Sequence, residues 1–217
     1  MPEKPGPLNG RRAQAARNDD MILEAARQVF LDDPAAPISA VAVRAGVGIS
    51  ALYRRYPSKE DLLRELARDG LTRYLADLEL ALADDGDPWR VYADCLARVV
   101  DGRSQALAQR LAGTFRPTPE LTALAATAGD RGLALHQRTV SAGALREDVT
   151  AADVVLLLEC LMLVEVPGLD GGSALRRRYL ALLLQSLHAP AAGELPGPPA
   201  AEADLTARWR SRAPVMD

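Results

Sequence analysis

An all-α fold is predicted for this 217-residue chain by three observations. Aromatic residues make up only 4% of it, while Ala and Leu dominate an apolar share of 48%. Cores of that kind are built from helices, because strands favour β-branched and aromatic residues. Apolar residues also recur at three- and four-residue spacing along most of the chain, the period of one helix face. Finally, short clusters of Pro, Gly and Asp cut this pattern at intervals, which gives a series of separate helices.

Taken in order, residues 1–12 (MPEKPGPLNGRR) are rich in Pro, Gly and charge and read as a flexible arm. A first helix is expected from about Asn18, with Asn18 as cap and Asp19 and Asp20 in its first turn. Ile22, Ala25, Ala26, Val29 and Phe30 form its apolar face, and Asp33-Pro34 and Pro37 stop it. Ile38, Val41, Ala42 and Ala45 define a short second helix with Ser39 as candidate cap. Gly46-Val47-Gly48 breaks it, and Ile49 to Tyr56 makes a third helix closed by Pro57. Ser58 with Asp61 has capping-box spacing, so a long helix starts there and runs to about Ala83.

Beyond Asp84-Asp85-Gly86-Asp87-Pro88, helices are expected at 88–102, 104–115, 118–143 with a break near Gly129, 150–166 and 173–188. Thr150 with Asp153 is a second capping box. The helix from Ala151 is apolar nearly all round and so should be buried on several sides. Residues 189–200 (APAAGELPGPPA) cannot hold regular structure, and a short helix around 203–212 follows. No internal repeat is present. The domain reading is an arm at 1–16, a head at 17–66, a helical body at 67–189 and a Pro-rich tail at 190–217.

Charge narrows the function. The net charge of −3 conceals an asymmetry: residues 1–75 carry twelve Lys/Arg against ten Asp/Glu, and the remainder fourteen against nineteen. The basic end is therefore the N-terminus, where nucleic acid would be met. Cys95 and Cys160 lie far apart without metal-ligand spacing and read as small buried thiols of a reducing cytosol. The longest apolar run, Val154 to Val166, is interrupted by Glu159 and Glu165 and is too short for a bilayer. A cytoplasmic location with no membrane contact is expected. There is no Gly-rich phosphate loop, G-x-S-x-G elbow or H-E-x-x-H, and only two His are present, so neither an enzyme, a cofactor nor a metal is expected.

Two short helices joined by a Gly turn form a helix-turn-helix, whose second helix enters the major groove of DNA. Gly46 supplies the residue free to adopt positive φ. Val41, Ala42, Ala45, Val47 and Leu52 suit the crossing of the two helices. Ser50, Tyr53, Arg54, Arg55 and Tyr56 offer donors for bases and phosphates, and Lys59, at a helix start, suits a phosphate. Ser39, Arg44 and Ala51 complete the candidate DNA-binding set.

Across about residues 17–66 these positions resemble the tetracycline-repressor (TetR) family. The resemblance is carried by Ala45-Gly46-Val47, Leu52-Tyr53, Tyr56, Ser58-Lys59-Glu60 and Leu62-Leu63, with Ile22-Leu23-x-Ala25-Ala26 and Val29-Phe30 upstream. A later stretch from Ala144 to Val154 is similar to the start of the dimer-forming helix of many members. Two departures stand out. Asp32-Asp33-Pro34-Ala35-Ala36-Pro37-Ile38 replaces the usual Gly-x-x-x-Thr, which leaves the start of the second helix open. Ala51 stands where Thr or Gly is common, so the DNA sequence read should differ.

The resemblance implies a three-helix helix-turn-helix DNA-binding head followed by a helical-bundle ligand-binding and dimerisation domain. It implies a homodimer joined through the helices at 150–166 and 173–188, binding double-stranded DNA at a palindromic operator as a repressor. A small effector in the bundle would release it. The sparse polar groups of the bundle suggest a largely apolar effector, with Trp89, Tyr92, Phe115 and His136 lining its pocket. Each of the four also reads as plain core. Likewise Tyr53 reads as a half-buried aromatic, and Arg54 and Arg55 as a solvated face. The basic arm reads as an inert leader or as a segment reaching the minor groove. Glu159 and Glu165 suit a pocket or the rim of a dimer seam, and His188 suits a helix C-terminus. The alternative function is a DNA-binding regulator controlled by protein partners without a ligand.

Overall fold

The computed structural model describes residues 7–102, 114–162, 164, 173–190, 193–201 and 203. Within them are eight helices: α1 (Pro7–Asp32), α2 (Ile38–Ala45), α3 (Ile49–Arg55), α4 (Lys59–Leu82), α5 (Pro88–Gly102), α6 (Pro119–Ser141), α7 (Ala151–Met162) and α8 (Ser173–Leu187). The described residues contain no strand, only an isolated bridge between Leu145 and His188. The all-α fold is as expected. The chain separates into two units, residues 1–66 and 67–217, with the break inside the continuous helix α4.

The first unit differs from expectation at its start. Helix α1 begins at Pro7 rather than near Asn18, so no flexible arm occupies 7–16, and Asn18, Asp19 and Asp20 lie inside the helix. Proline suits a first helical position, where its missing N–H has no partner to lose, and the Ala and Arg residues that follow are strong helix formers. One face of α1 buries Ile22, Leu23, Ala25, Ala26, Phe30 and Leu31 against α2, which contributes Ile38, Val41, Ala42 and Ala45. Phe30, Val41, Leu52, Leu62 and Leu66 are wholly enclosed. The start of α2 is set by Pro37, extended at φ −71°, with no side-chain cap; Ser39 lies within the first turn and is exposed.

The second unit contains the rest of α4 with α5 to α8. Helix α5 packs on α6 and α8, and α7 packs on α6 and α8. Helix α6 runs without a break through Gly129, started by Thr118, whose side chain accepts the Leu121 N–H at 3.2 Å. At α7 the capping box is reciprocal. The Thr150 hydroxyl accepts the Asp153 N–H at 3.1 Å, and the Asp153 carboxylate accepts the Thr150 N–H at 2.9 Å. Two arginines clasp the end of α4: Arg98 bonds Asp77, and Arg138 donates to the Ala81 and Leu82 carbonyls that the helix leaves open. Residues 193–201 have no regular structure, yet they are fastened to the rest of the unit. Arg146 donates to the Gly193 carbonyl, and Asp153 accepts from the Ala200 N–H.

Several expectations fall on residues outside the described set: the helix at 104–115 for the most part, Glu165, residues 1–6 of the arm, the helix at 203–212 beyond Ala203, and the side chains of Arg11, Arg12 and Arg17. Cys95 is buried, but Cys160 is exposed on α7, against the expectation of two buried thiols. No described helix is long and apolar enough to cross a membrane.

His136 supplies a test of the second unit. Its ring is buried, with Nε2 3.0 Å from the Val149 carbonyl and Nδ1 3.2 Å from the Tyr92 hydroxyl. A carbonyl can only accept, so Nε2 carries the hydrogen and Nδ1 accepts from Tyr92. Burial holds this imidazole below its ordinary basicity, against the weaker opposite pull of the Val149 bond and Asp153. The folded protein therefore resists binding a proton that the unfolded chain accepts near pH 6.5. Stability from this group is complete above that pH and should fall as the pH drops from there through the lower folded value. Urea titrations between pH 7.5 and 5 are expected to show this decline in the wild type and a flatter profile in His136→Asn.

Candidate nucleic-acid interface

The geometry of the head follows from its turn. Gly46 sits in the left-handed region at φ 66° and ends α2. Its N–H bonds the Val43 carbonyl at 3.2 Å, and the Val47 N–H bonds the Ala42 carbonyl at 3.0 Å, the two bonds of a Schellman motif. A side chain at position 46 would strain that backbone, although no neighbour would obstruct it. From this turn α3 begins at Ile49 with Gly48 as its cap.

Only one side of α3 faces inward. Leu52 is fully buried, and Tyr56, just past the helix end, is 4% exposed. At 100° per residue, Ser50 and Arg54 point almost opposite to Leu52. Both are exposed, as are Ile49, Ala51, Tyr53 and Arg55 along the flanks. Among the described residues no hydrogen-bond partner is recorded for the side chains of Ser50, Tyr53 or Arg54. On α2, Ser39, Val43 and Arg44 are exposed, with Val43 at 82%, and Arg44 Nε donates to Gln28 Oε1 at 2.6 Å.

Three of the residues expected to meet DNA are buried or have internal partners. Tyr56 is a core residue: its ring is enclosed, its hydroxyl has no partner, and burial pushes its pKa up to about 12. Its spacing of four from Leu52 puts it on the inner side of α3, which a reading by residue type alone overlooked. Lys59 turns inward, with Nζ 2.8 Å from the Ala36 carbonyl, 3.1 Å from the Pro34 carbonyl and 5.1 Å from the centre of the Phe30 ring. It closes the polar backbone of the α1–α2 loop. Arg55 binds Asp19 of α1 in a two-pronged pair, Nε to Oδ1 at 2.9 Å and Nη2 to Oδ2 at 2.8 Å, and lies over the Tyr56 ring. That bond to Asp19 is the main cause of the raised Arg55 pKa. Asp19 went unrecognised as part of this site because the late helix start made it look like a first-turn acid.

Ser58 does cap α4. Its hydroxyl oxygen accepts the Asp61 N–H at 3.1 Å and its hydrogen goes to the Asp61 carboxylate at 2.7 Å, which holds that carboxyl below its usual range.

The four expected pocket residues are only partly gathered. Tyr92 and His136 are hydrogen-bonded within the core, and Trp89 lies 6.3 Å from Tyr92 between ring centres. Trp89 also meets the His188 ring edge-on at 4.5 Å, so His188 serves as a packing partner rather than as a cap. No ring contact joins Phe115, half-buried, to this group. The burial of Tyr92 and His136, with their polar atoms already paired, makes them core residues.

Tyr56→Phe, which removes an unpaired buried hydroxyl, is expected to leave the denaturation midpoint unchanged or raise it. Lys59→Ala leaves two loop carbonyls without their charged donor and should lower stability by about 1–2 kcal/mol. Chemical denaturation monitored by circular dichroism checks both.

Residues 22–66 match the model of a family described as bacterial regulatory proteins, tetR family. Over 83 residues, 38% of this chain, the sequence is 41% identical to the HTH-type transcriptional repressor LfrR of Mycolicibacterium smegmatis. That match spans 41% of the repressor's length. The fold is similar to the crystal structure of LfrR from Mycobacterium smegmatis in complex with proflavine, at TM-score 0.59 and 25% identity, covering 83% of this chain and 99% of that one. It is similar also to a TetR transcription regulatory protein from Mycobacterium vanbaalenii, at TM-score 0.53 and 26% identity, covering 82% and 99%. Over residues 22–66, the helix-turn-helix head is therefore similar to that of the tetR family of bacterial regulatory proteins.

Proposed function

We propose that this protein is a sequence-specific DNA-binding transcriptional repressor, acting in the cytoplasm as a homodimer on a palindromic operator. The observation that carries the reading is the outward face of α3. Ser50 and Arg54 stand opposite the buried Leu52 on a helix fixed by the Gly46 turn, with Tyr53 beside them. Arg54 can read a guanine edge with two bonds, while the hydroxyls of Tyr53, Ser50 and Ser39 suit phosphate oxygens. Arg44 can reach the backbone if it exchanges Gln28 for phosphate, and Ala51 offers a methyl to a thymine. The repressor LfrR, 41% identical to this chain over 83 residues, supports the sign of regulation.

The second unit supports the dimer. Leu157 on α7 is 39% exposed, and on α8 Tyr179 and Leu182 are 41% and 53% exposed. Apolar side chains of this size on two adjacent helices suit a seam between copies, with Leu183 and Glu159 at its margin. Two heads then match two half-sites. Release by a small, largely apolar molecule within the second unit is part of the same reading. Its support is the LfrR structure holding proflavine, so proflavine is the natural first probe. Trp89 and Phe115, both half-buried, remain the aromatic side chains best placed to meet such a ligand.

Three outcomes are expected. With a duplex selected by the wild-type protein from a random library, Tyr53→Phe should weaken binding without loss of stability. Arg54→Ala should relax base preference at particular positions, each worth about 1–3 kcal/mol; an even loss over all sequences would confine Arg54 to phosphate. In sedimentation, Leu157→Arg should shift a dimer towards monomer, since an unpaired charge in an apolar seam costs several kcal/mol. A wild type that sediments as a monomer at micromolar concentration refutes the dimer.

A further inference from the structure

Arg55 lies next to the proposed base-reading residue, yet its guanidinium is already occupied. Both prongs are held by the Asp19 carboxylate of α1, at 2.9 and 2.8 Å, in the planar fork arrangement that a phosphate would otherwise occupy. The surrounding field is acidic too, because Asp19 and Glu65 both favour the charged guanidinium. The underside of the guanidinium rests on the Tyr56 ring, 5.5 Å from its centre. Arg54, one residue earlier, has no such partner among the described residues, and it points away from the core.

We propose that Asp19 is a specificity-determining residue: it sequesters Arg55 from the DNA backbone and uses it to fix α3 against α1. This inference rests on α3 being the DNA-reading helix. A cation on phosphate strengthens binding to every sequence alike, because phosphates carry no base information. Neutralising Arg55 with an internal carboxylate therefore suppresses non-specific affinity and leaves discrimination to Arg54 and its neighbours. Arg55 is then a positioning residue, and Asp19 its counter-charge.

The test is the salt dependence of binding, measured on a duplex selected by the wild-type protein and on a scrambled duplex of equal length. In Asp19→Ala, Arg55 is released to a phosphate. The slope of log K against log salt should steepen by about 0.9 for each Arg55 engaged. Affinity for the scrambled duplex should rise, and the ratio of selected to scrambled affinity should fall. Arg55→Ala should keep the wild-type slope, and Asp19→Ala/Arg55→Ala should restore it. A shallower slope in Arg55→Ala, or an unchanged slope in Asp19→Ala, overturns the proposal. A double-mutant cycle on urea stability reads the clasp without DNA: non-additivity between the two substitutions is expected, and strict additivity overturns the proposal. Failure of the wild type to select any duplex would instead defeat the DNA-binding reading, whatever that cycle gives.

Discussion

A helix of seven residues cannot hold itself together in water. Nucleating its first turn costs more than its few hydrogen bonds return, so α3 exists only because its surroundings impose it. The imposition comes from three sides. The left-handed Gly46 turn fixes where the chain leaves α2, and Leu52 and Tyr56 are drawn into the core formed by α1 and α2. The Arg55–Asp19 pair then ties the helix end to α1. Every polar group that α3 presents outward inherits its direction from these restraints. The same principle governs Lys59, which closes two carbonyls of the α1–α2 loop and so holds the element against which α3 is oriented.

The second unit solves a related problem, the burial of polar groups in a core dominated by Leu and Ala. His136 bonds at both ring nitrogens, Thr139 returns its hydroxyl to the Leu135 carbonyl, and Arg146 spreads over Asp148 and two backbone carbonyls. Paired in this way, these groups cost little to bury; unpaired, each would cost on the order of 1–3 kcal/mol. Such fixed pairings make α6 and the start of α7 a defined frame, while Leu157 of α7 and Tyr179 and Leu182 of α8 stay exposed.

Much of the fold was legible in the sequence because helix periodicity and capping chemistry are local. The capping pairs Ser58–Asp61 and Thr150–Asp153 marked two helix starts, and both pairs form their bonds. The start of α1 was not legible, because a run opening with Pro and Gly has the composition of a coil. Its helicity depends on propagation from the packed half of the same helix, since elongation is cheaper than nucleation. Residue type also picked out the exposed side of α3 but could not sort its members. Tyr53, Arg55 and Tyr56 are all chemically able to meet a phosphate, yet only one of them lies outside the core without an internal partner.

The sequence by itself determined the helical class, the turn at Gly46, the family signature around it and the candidate face of α3, because each depends on residues a few positions apart. The tertiary structure alone decided which side chains on that face are free. Arg55 meets Asp19 across 36 residues, Lys59 meets Pro34 and Ala36 across 25 and 23, and Tyr92 meets His136 across 44. Pairings over such distances are set by how whole helices pack, and a charged group taken by an internal partner is indistinguishable in sequence from one left open to solvent.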